Sequence, residues 1–302
     1  MIFDVFNQEI KEFNNQVSLY IKREDLIHPF ISGNKYRKLK YNLIQAKEKG
    51  HTTLLTFGGA FSNHIAAVAF AGKEYGFKTI GVIRGEELSS KVMENSTLSF
   101  AQENGMVFYF ETRENYRNKD SELYLENLKS LFGNFYILSE GGTNTLAILG
   151  CEEILTEEDN TFDYICCSVG TGGTISGLIN ASSKHQKTIG FPALSGGFLK
   201  NDIRKFVTKE NWELIEEYTF GGYAKTSNEL IAYINSFYNN TKIPLDPVYT
   251  GKMMFGIFDL IEKGYFPNGA KILAIHTGGL QGIRGVNKIL KEKKKEFLIY
   301  EE

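Results

Sequence analysis

Strand-like and helix-like segments alternate along most of this chain, and this alternation limits the fold more than any other feature of the sequence. Apolar runs that are typical of strands lie at residues 51–57, 78–84, 106–111, 135–140, 164–170, 187–194 and 271–279. Segments with helical spacing separate them, such as 61–76 and 120–133. Repeated βα units favour a parallel sheet with helices on its faces. The sequence therefore predicts an α/β fold with mainly parallel sheets flanked by helices.

The length predicts two lobes, because 302 residues are many for one domain. The composition marks no boundary between them. We predict a smaller α/β lobe over residues 45–140 and a larger lobe built from residues 1–44 and 141–302. In that arrangement the functional cleft lies between the lobes, where loops from both could meet.

Composition and charge exclude several classes of function. The formal net charge of −2 gives no reason to expect a nucleic-acid partner, and the basic run at 288–297 is better explained as a solvated helix face. No uncharged apolar run approaches the ~18 residues of a membrane span. Three cysteines, two of them adjacent, do not form a disulfide framework. With no signal-peptide pattern at the N-terminus, we predict a cytoplasmic protein without a metal site.

A glycine-rich loop, SVGTGGTISG, joins an apolar strand to a helix start. The loop residues with special backbone freedom or a hydroxyl group are Gly170, Thr171, Gly172, Gly173 and Thr174. Such a loop can turn successive N–H groups into one concavity, and the helix that follows adds its positive dipole end. The pattern is neither a Walker loop nor GxGxxG, and it suits one terminal phosphate. The alternative is an ordinary turn of an α/β fold.

A lysine, Lys35, stands directly behind Gly-Asn in SGNKYRK, where a strand gives way to a helix. A lone lysine is usually a solvated surface group. Together with a phosphate loop elsewhere, however, it suggests pyridoxal 5′-phosphate, whose aldehyde needs an amine and whose tail needs an anchor. A further loop, FGGAFSNH, offers donors from Ser62 and Asn63, while His64 could equally pack, cap or act on a substrate.

These loops, in this order, resemble the 1-aminocyclopropane-1-carboxylate deaminase/D-cysteine desulfhydrase family. The matching stretches are YIKREDL, SGNKYRKLKYNL, GGAFSNHIAAVA, SEGGTN, SVGTGGTISG, DPVYTGKMMFGIFDLI and ILAIHTGG, which span most of the chain. The resemblance implies the tryptophan-synthase-β-like fold of type II pyridoxal phosphate enzymes, a small amino acid as substrate, and a homodimer.

The resemblance also assigns roles to particular residues. Catalytic roles fall on Lys35 as the Schiff-base lysine, on Ser62, and on Tyr249 and Tyr223 as paired active-site tyrosines. Cofactor contacts fall on Lys38 at the phosphate, on Asn63 at the phenolic oxygen and on the loop from Gly170 to Thr174. Phe61 departs from the family pattern, which usually has Gln there.

Two positions bear on the reaction. Thr250 and Thr277 stand where the cyclopropane-opening deaminases carry Glu and Leu, and both resemble the desulfhydrase pattern. A hydroxyl group from Thr250 would leave the pyridine nitrogen neutral, which suffices when a thiolate departs. We therefore predict β-elimination from a small amino acid, which yields pyruvate, ammonia and sulfide. The alternatives are cyclopropane opening and a lyase or β-replacing enzyme for an L-amino acid.

Two rival classes remain at this stage. One is a protein that carries the cofactor without turnover, although Ser62, Tyr249 and Thr277 would then have no purpose. The other is a nucleotide-binding α/β protein. Absorbance of purified protein in the Schiff-base region would separate the second class from the enzyme.

Overall fold

A computed structural model describes residues 4–194 and 196–300 and has the α/β fold that the sequence predicts. Its strands are β1 (Asn7–Glu12), β2 (Ser18–Lys22), β3 (Thr53–Gly58), β4 (Lys78–Arg84), β5 (Met106–Glu111), β6 (Tyr136–Leu138), β7 (Tyr164–Val169), β8 (Lys187–Pro192), β9 (Trp212–Leu214) and β10 (Lys271–Ile275). Two sheets result, and both are flanked by helices.

The described ranges also contain ten α-helices. They are α1 (Asn34–Glu48), α2 (Asn63–Tyr75), α3 (Ser96–Glu103), α4 (Glu122–Phe132), α5 (Thr145–Glu152), α6 (Gly173–Ala181), α7 (Phe198–Arg204), α8 (Asn228–Thr241), α9 (Thr250–Glu262) and α10 (Ile283–Glu292). Side chains of Ser62, Asn95, Ser121 and Ser227 cap α2, α3, α4 and α8 by accepting a backbone N–H.

The larger sheet has six strands in the order β1-β2-β10-β7-β8-β9. All its pairs are parallel except β1 with β2. β7 and β10 are almost wholly buried, as strands covered on both faces must be. Parallel strands bring their carboxyl ends to one edge, so the loops after β7 and β10 lie side by side.

The smaller sheet has four parallel strands in the order β5-β4-β3-β6, all between residues 53 and 138. The proposed lobe boundary near residue 45 falls inside α1. Leu39 and Leu43 of this helix belong to the same core cluster as Leu54 and Ile65 beside the smaller sheet. Helix α1 therefore contributes to the core around the smaller sheet, and the lobe division itself stays a prediction.

Some elements differ from the sequence interpretation. The helix expected over 91–105 begins only at Ser96, because Asn95 caps it and the preceding segment forms a 3₁₀ turn over Glu86–Glu94. Strand β1 was not predicted, since NQEIKE is a mostly polar strand at the edge of its sheet. In the described ranges no helix is both long and apolar enough to cross a membrane.

Candidate active site

A cavity lies where loops at the carboxyl ends of strands from both sheets meet. Its lining comes from loops after β3, β6, β7 and β10 and from the start of α1, together with two tyrosines. Ligands of open α/β sheets bind at this edge. The lining contains twelve of the thirteen residues that the sequence and the family resemblance suggested, namely Lys35, Lys38, Ser62, Asn63, Gly170, Thr171, Gly172, Gly173, Thr174, Tyr223, Tyr249 and Thr277.

The Gly-Asn pair before Lys35 explains how this lysine reaches the cavity. Gly33 has φ of +60°, and a Cβ there would collide with the carbonyl group of Thr277. The backbone N–H of Asn34 donates to that same carbonyl oxygen at 3.2 Å. The first turn of α1 is thereby docked on the end of β10, and Lys35, the second residue of the helix, lines the cavity.

The amine of Lys35 is unusual for a lysine. Its Nζ donates to Asn34 Oδ1 at 3.2 Å, and Asn34 in turn donates to Thr174 Oγ1 at 2.7 Å. Burial, and secondarily the positive charge of Lys38, lower the pKa of Lys35 to about 7. About half of the amine is then neutral at neutral pH, which is the nucleophilic form.

The glycine loop leads from β7 directly into the start of α6. Gly172 has φ of +83° and immediately precedes α6, whose first amides have no partner within the helix. A Cβ on Gly173 would lie 2.7 Å from Thr143 Oγ1 and 3.2 Å from Lys38 Nζ. The glycines therefore leave a concavity at a helix start, which suits an anion.

Lys38 adds a positive charge beside this concavity. Its Nζ donates to the carbonyl oxygen of Gly141 at 2.9 Å and to Thr143 Oγ1 at 3.2 Å. Thr143 Oγ1 lies 2.6 Å from Thr171 Oγ1. Burial lowers the pKa of Lys38. Both acceptors in these contacts are uncharged oxygens, so the positive charge of this buried lysine is not neutralised by them. Such a lysine is suited to binding an anionic ligand.

The loop after β3 presents side chains from the start of α2. Ser62 Oγ accepts the backbone N–H of Ile65 at 3.3 Å, so its own hydroxyl hydrogen remains available. Asn63 lines the cavity next to it. His64 is also buried in the lining, and burial together with Lys35 and Lys38 lowers its pKa well below the ordinary value. His64 is therefore a neutral group packed near the two lysines.

The two threonines with a bearing on the reaction lie in different settings. Thr277 lines the cavity, and its Oγ1 is 3.1 Å from Ser168 Oγ. Thr250 is absent from the lining, because its Oγ1 donates to Asp246 Oδ1 at 2.8 Å and accepts the backbone N–H of Asp246 at 2.9 Å. The hydroxyl pair of Ser168 and Thr277, rather than Thr250, is what the structure brings to the cavity.

Tyr249 and Tyr223 meet over the cavity with ring centroids 6.1 Å apart. Burial, and secondarily Tyr223, raise the pKa of Tyr249 well above the ordinary value, so its hydroxyl group stays protonated. Tyr223 follows a turn with positive φ at Phe220, Gly221 and Gly222. It is 47% exposed, which leaves it at the mouth of the cavity.

Lys252 supports the Tyr223 turn and was not identified from the sequence. Its side chain is buried, and its Nζ donates to the carbonyl oxygens of Thr219 and Gly222 at 2.8 Å each. Burial lowers its pKa to about 8. Only the apolar surroundings in MMFGIF hinted that this lysine would be buried. Ser168 was also not identified from the sequence, because it lies inside the apolar run of β7.

These residues fit pyridoxal phosphate on structural grounds alone. The cavity combines a partly neutral amine, an anion-binding helix start with an adjacent buried lysine, and amide and hydroxyl groups between them. Among the residues that line it, none is an aspartate or a glutamate. No cluster of potential metal ligands occurs within residues 4–194 and 196–300.

Similarity to known proteins agrees with this site. The family model described as "Pyridoxal-phosphate dependent enzyme" matches residues 8–278. A putative 1-aminocyclopropane-1-carboxylate deaminase of Pyrococcus horikoshii is 33% identical and aligns over 87% of this chain and 85% of its own. The mitochondrial bifunctional D-cysteine desulfhydrase/1-aminocyclopropane-1-carboxylate deaminase of Arabidopsis thaliana is 29% identical. This alignment covers 89% of our chain and 74% of the Arabidopsis protein.

A solved structure extends the similarity to the fold. The crystal structure of a 1-aminocyclopropane-1-carboxylate deaminase homologue superposes with a TM-score of 0.81 at 30% identity, over 96% of this chain and 94% of the other. Fold and site together define a pyridoxal-phosphate-dependent enzyme of fold type II. Within that class, the chain belongs to the 1-aminocyclopropane-1-carboxylate deaminase/D-cysteine desulfhydrase family.

Proposed function

We propose that this enzyme catalyses β-elimination from a small amino acid in the manner of a D-cysteine desulfhydrase. The products are pyruvate, ammonia and, from cysteine, sulfide. The observation that carries this proposal is the absence of any carboxylate among the residues that line the cavity. Hydroxyl groups of Ser168 and Thr277 stand at the end of the central strands instead.

When bound, pyridoxal phosphate supplies an aldehyde for the substrate amine and a conjugated ring that draws electrons from Cα. The chain's part is to hold and orient it. The amides at the start of α6 and the amine of Lys38 would bind the phosphate group. The Asn63 amide would donate to the phenolic oxygen, and Lys35 would provide the amine for the aldehyde.

Lys35 then has a second task, the removal of the proton from Cα. Its lowered pKa of about 7 supports this role, because a base near the working pH is partly unprotonated and still accepts a proton readily. General base catalysis of this kind contributes roughly 10²–10⁴-fold. The neighbouring charge of Lys38 favours the neutral form of Lys35 whenever its amine is free.

The substrate carboxylate would bind at the start of α2. The hydroxyl hydrogen of Ser62 and the first amides of this helix are the donors on that side of the cavity. The protonated Tyr249, together with Tyr223, faces the remaining space and could donate to a departing β-substituent. Both tyrosines are therefore proposed as catalytic groups at the leaving-group side.

The lining chemistry favours a good leaving group. A carboxylate at the pyridine nitrogen would hold it protonated and strengthen the electron demand of the ring, which the opening of a cyclopropane requires. A hydroxyl partner such as Thr277 would leave that nitrogen neutral. Departure of a thiolate needs less assistance, so β-elimination is the better match. Cyclopropane opening, which the names of the relatives suggest, is the second candidate.

Substrate comparison tests the proposal directly. Purified enzyme is assayed for pyruvate with D-cysteine, L-cysteine and 1-aminocyclopropane-1-carboxylate, with Lys35→Ala as the inactive control. We expect the largest kcat/KM with D-cysteine and no pyruvate from the variant. A larger kcat/KM with the cyclopropane would reject β-elimination, and preference for L-cysteine would support an L-amino acid lyase instead.

Two further features are proposed, the first from the family resemblance and the second from the few cysteines of the sequence. We expect a homodimer, which light scattering after gel filtration would test, and a cytoplasmic location, which fractionation of the source cells would test.

A further inference from the structure

The Asn63 amide is held from behind by a residue that lies outside the cavity lining. Gln281 Nε2 donates to Asn63 Oδ1 at 2.5 Å, and the two residues are 218 positions apart in the chain. Gln281 sits in a short 3₁₀ helix, Leu280–Gly282, immediately after the TGG loop that follows β10. A contact across such a distance in sequence fixes the two cavity walls relative to each other.

The backbone next to Gln281 is shaped around the same amide. Gly279 has φ of +89°, and a Cβ at this position would collide with Asn63 Nδ2. Any other residue at position 279 would be strained and would also displace the amide. Glycine at 279 and glutamine at 281 therefore jointly define where the Asn63 side chain lies and which way it faces.

The donors and acceptors around Asn63 decide which way its side-chain amide must face. The phenolic oxygen of the cofactor, once ionised, only accepts hydrogen bonds, so Asn63 must present Nδ2 to it. Asn63 Oδ1 then points away from the cavity and needs a donor. Gln281 Nε2 supplies that donor, whereas a carboxylate in its place could only accept.

We propose that Gln281 is a positioning residue that orients the Asn63 amide so that its NH₂ group faces the cofactor. This inference rests on the proposed contact between Asn63 and the cofactor. Gln281 is only partly buried, so a glutamate substituted there would be ionised at neutral pH. Glutamate keeps the shape of glutamine and removes the donor, and it would turn the Asn63 amide so that Oδ1 faces the phenolic oxygen.

The test measures cofactor affinity rather than turnover. Apoprotein is prepared for the wild type, Gln281→Glu, Gln281→Met and Asn63→Ala, and each is titrated with pyridoxal phosphate while absorbance is recorded. Gln102→Glu is the matched control, because Gln102 is an exposed residue of α3 outside the cavity lining. Thermal unfolding of each apoprotein confirms that it is folded.

We expect Gln281→Glu to weaken cofactor binding about tenfold to a hundredfold, the range for losing a hydrogen bond to a charged group. Gln281→Met should weaken it less, since it removes the donor without forcing the amide to turn. The control should bind like the wild type, and the absorbance maximum of the bound cofactor should shift only in the two Gln281 variants and in Asn63→Ala.

Two different failures can be told apart. If Asn63→Ala weakens binding but Gln281→Glu binds within twofold of the wild type, the positioning role of Gln281 is wrong. If Asn63→Ala itself binds normally, the proposed contact of Asn63 fails, and the role of Gln281 fails with it. A double variant, Asn63→Ala with Gln281→Glu, should be no weaker than Asn63→Ala alone, because the two residues act through one contact.

Discussion

The end of the cavity where we propose that the phosphate group binds, here called the phosphate end, is built differently from the tyrosine end. At the phosphate end, backbone amides at the start of α6 and a buried lysine, Lys38, define the binding surface. At the tyrosine end, two side chains define it, and Tyr223 is 47% exposed on a turn of unusual backbone conformation. Substitutions other than proline leave a backbone N–H donor in place, whereas a side-chain donor changes with the residue. The first end is thus suited to one constant group, and the second to a substrate that differs among relatives.

Gly173→Ala should produce the largest effect and would break the phosphate end selectively. The added Cβ would lie 2.7 Å from Thr143 Oγ1 and 3.2 Å from Lys38 Nζ, which fills part of the anion concavity. Overpacking typically costs about 1–3 kcal/mol. We expect cofactor affinity to fall by one to two orders of magnitude, measured by titration of apoprotein.

Gly197→Ala is the control for this change, since an added Cβ there meets no atom within 4 Å and the backbone angle is an ordinary one. It should bind the cofactor as the wild type does. Unchanged affinity in Gly173→Ala would mean that the start of α6 does not hold the phosphate group.

Lys252→Met should produce an intermediate effect confined to the tyrosine end. Two carbonyl oxygens, of Thr219 and Gly222, would lose their charged donor, and the turn before Tyr223 would loosen. We expect kcat/KM for D-cysteine to fall roughly tenfold while cofactor affinity stays within about twofold. Steady-state assays with D-cysteine check the fall in kcat/KM, and titration of the apoprotein with pyridoxal phosphate checks the cofactor affinity.

Lys263→Met serves as the matched control, because Lys263 forms only an exposed ion pair with Asp259 near the end of the same helix. A fall in cofactor affinity as large as the fall in kcat/KM would show that the two ends are not independent.

The pH dependence of cofactor uptake should be the smallest effect, and it concerns Lys35, which lies between the two ends. Its pKa of about 7 means that raising the pH from 6.5 to 7.5 increases the neutral, reactive fraction about threefold. We expect the rate of Schiff-base formation in apoprotein, followed by stopped-flow absorbance, to rise accordingly and then level off above pH 8.

Lys38→Met should move this midpoint upward, because removing the neighbouring positive charge makes protonation of Lys35 easier. A wild-type rate that still climbed steeply near pH 10 would show an ordinary, solvated lysine.

The sequence predicted the strands and helices with clear apolar patterns well, because the spacing of apolar residues reflects which side chains are buried. Strands β4 and β5 begin and end where their apolar runs do. Strand β1 has no such run, since it is a polar edge strand that depends on pairing with β2. The helix before Gly105 was placed too early, because the cap at Asn95 rather than hydropathy sets its start.

The site was predictable where its residues form continuous motifs, as in GNK, SNH and GTGG. It was not predictable where distant residues meet. Thr250 follows Tyr249 in the chain, yet the turn at Asp246 directs its hydroxyl group away from the cavity. The contacts of Lys252 and Gln281 depend on the packing of segments some 30 to 218 residues apart. No local pattern contains that information.

The position of β10 in the larger sheet has a consequence for biosynthesis. This strand comes last in the chain but pairs with β2 on one side and β7 on the other. Until residues 271–277 leave the ribosome, the N-terminal hairpin has no neighbour to join in the sheet, and Gly33 has no Thr277 carbonyl on which to dock. The proposed capture of the cofactor by Lys35 therefore requires this last strand, and a chain truncated before it should fail to bind pyridoxal phosphate.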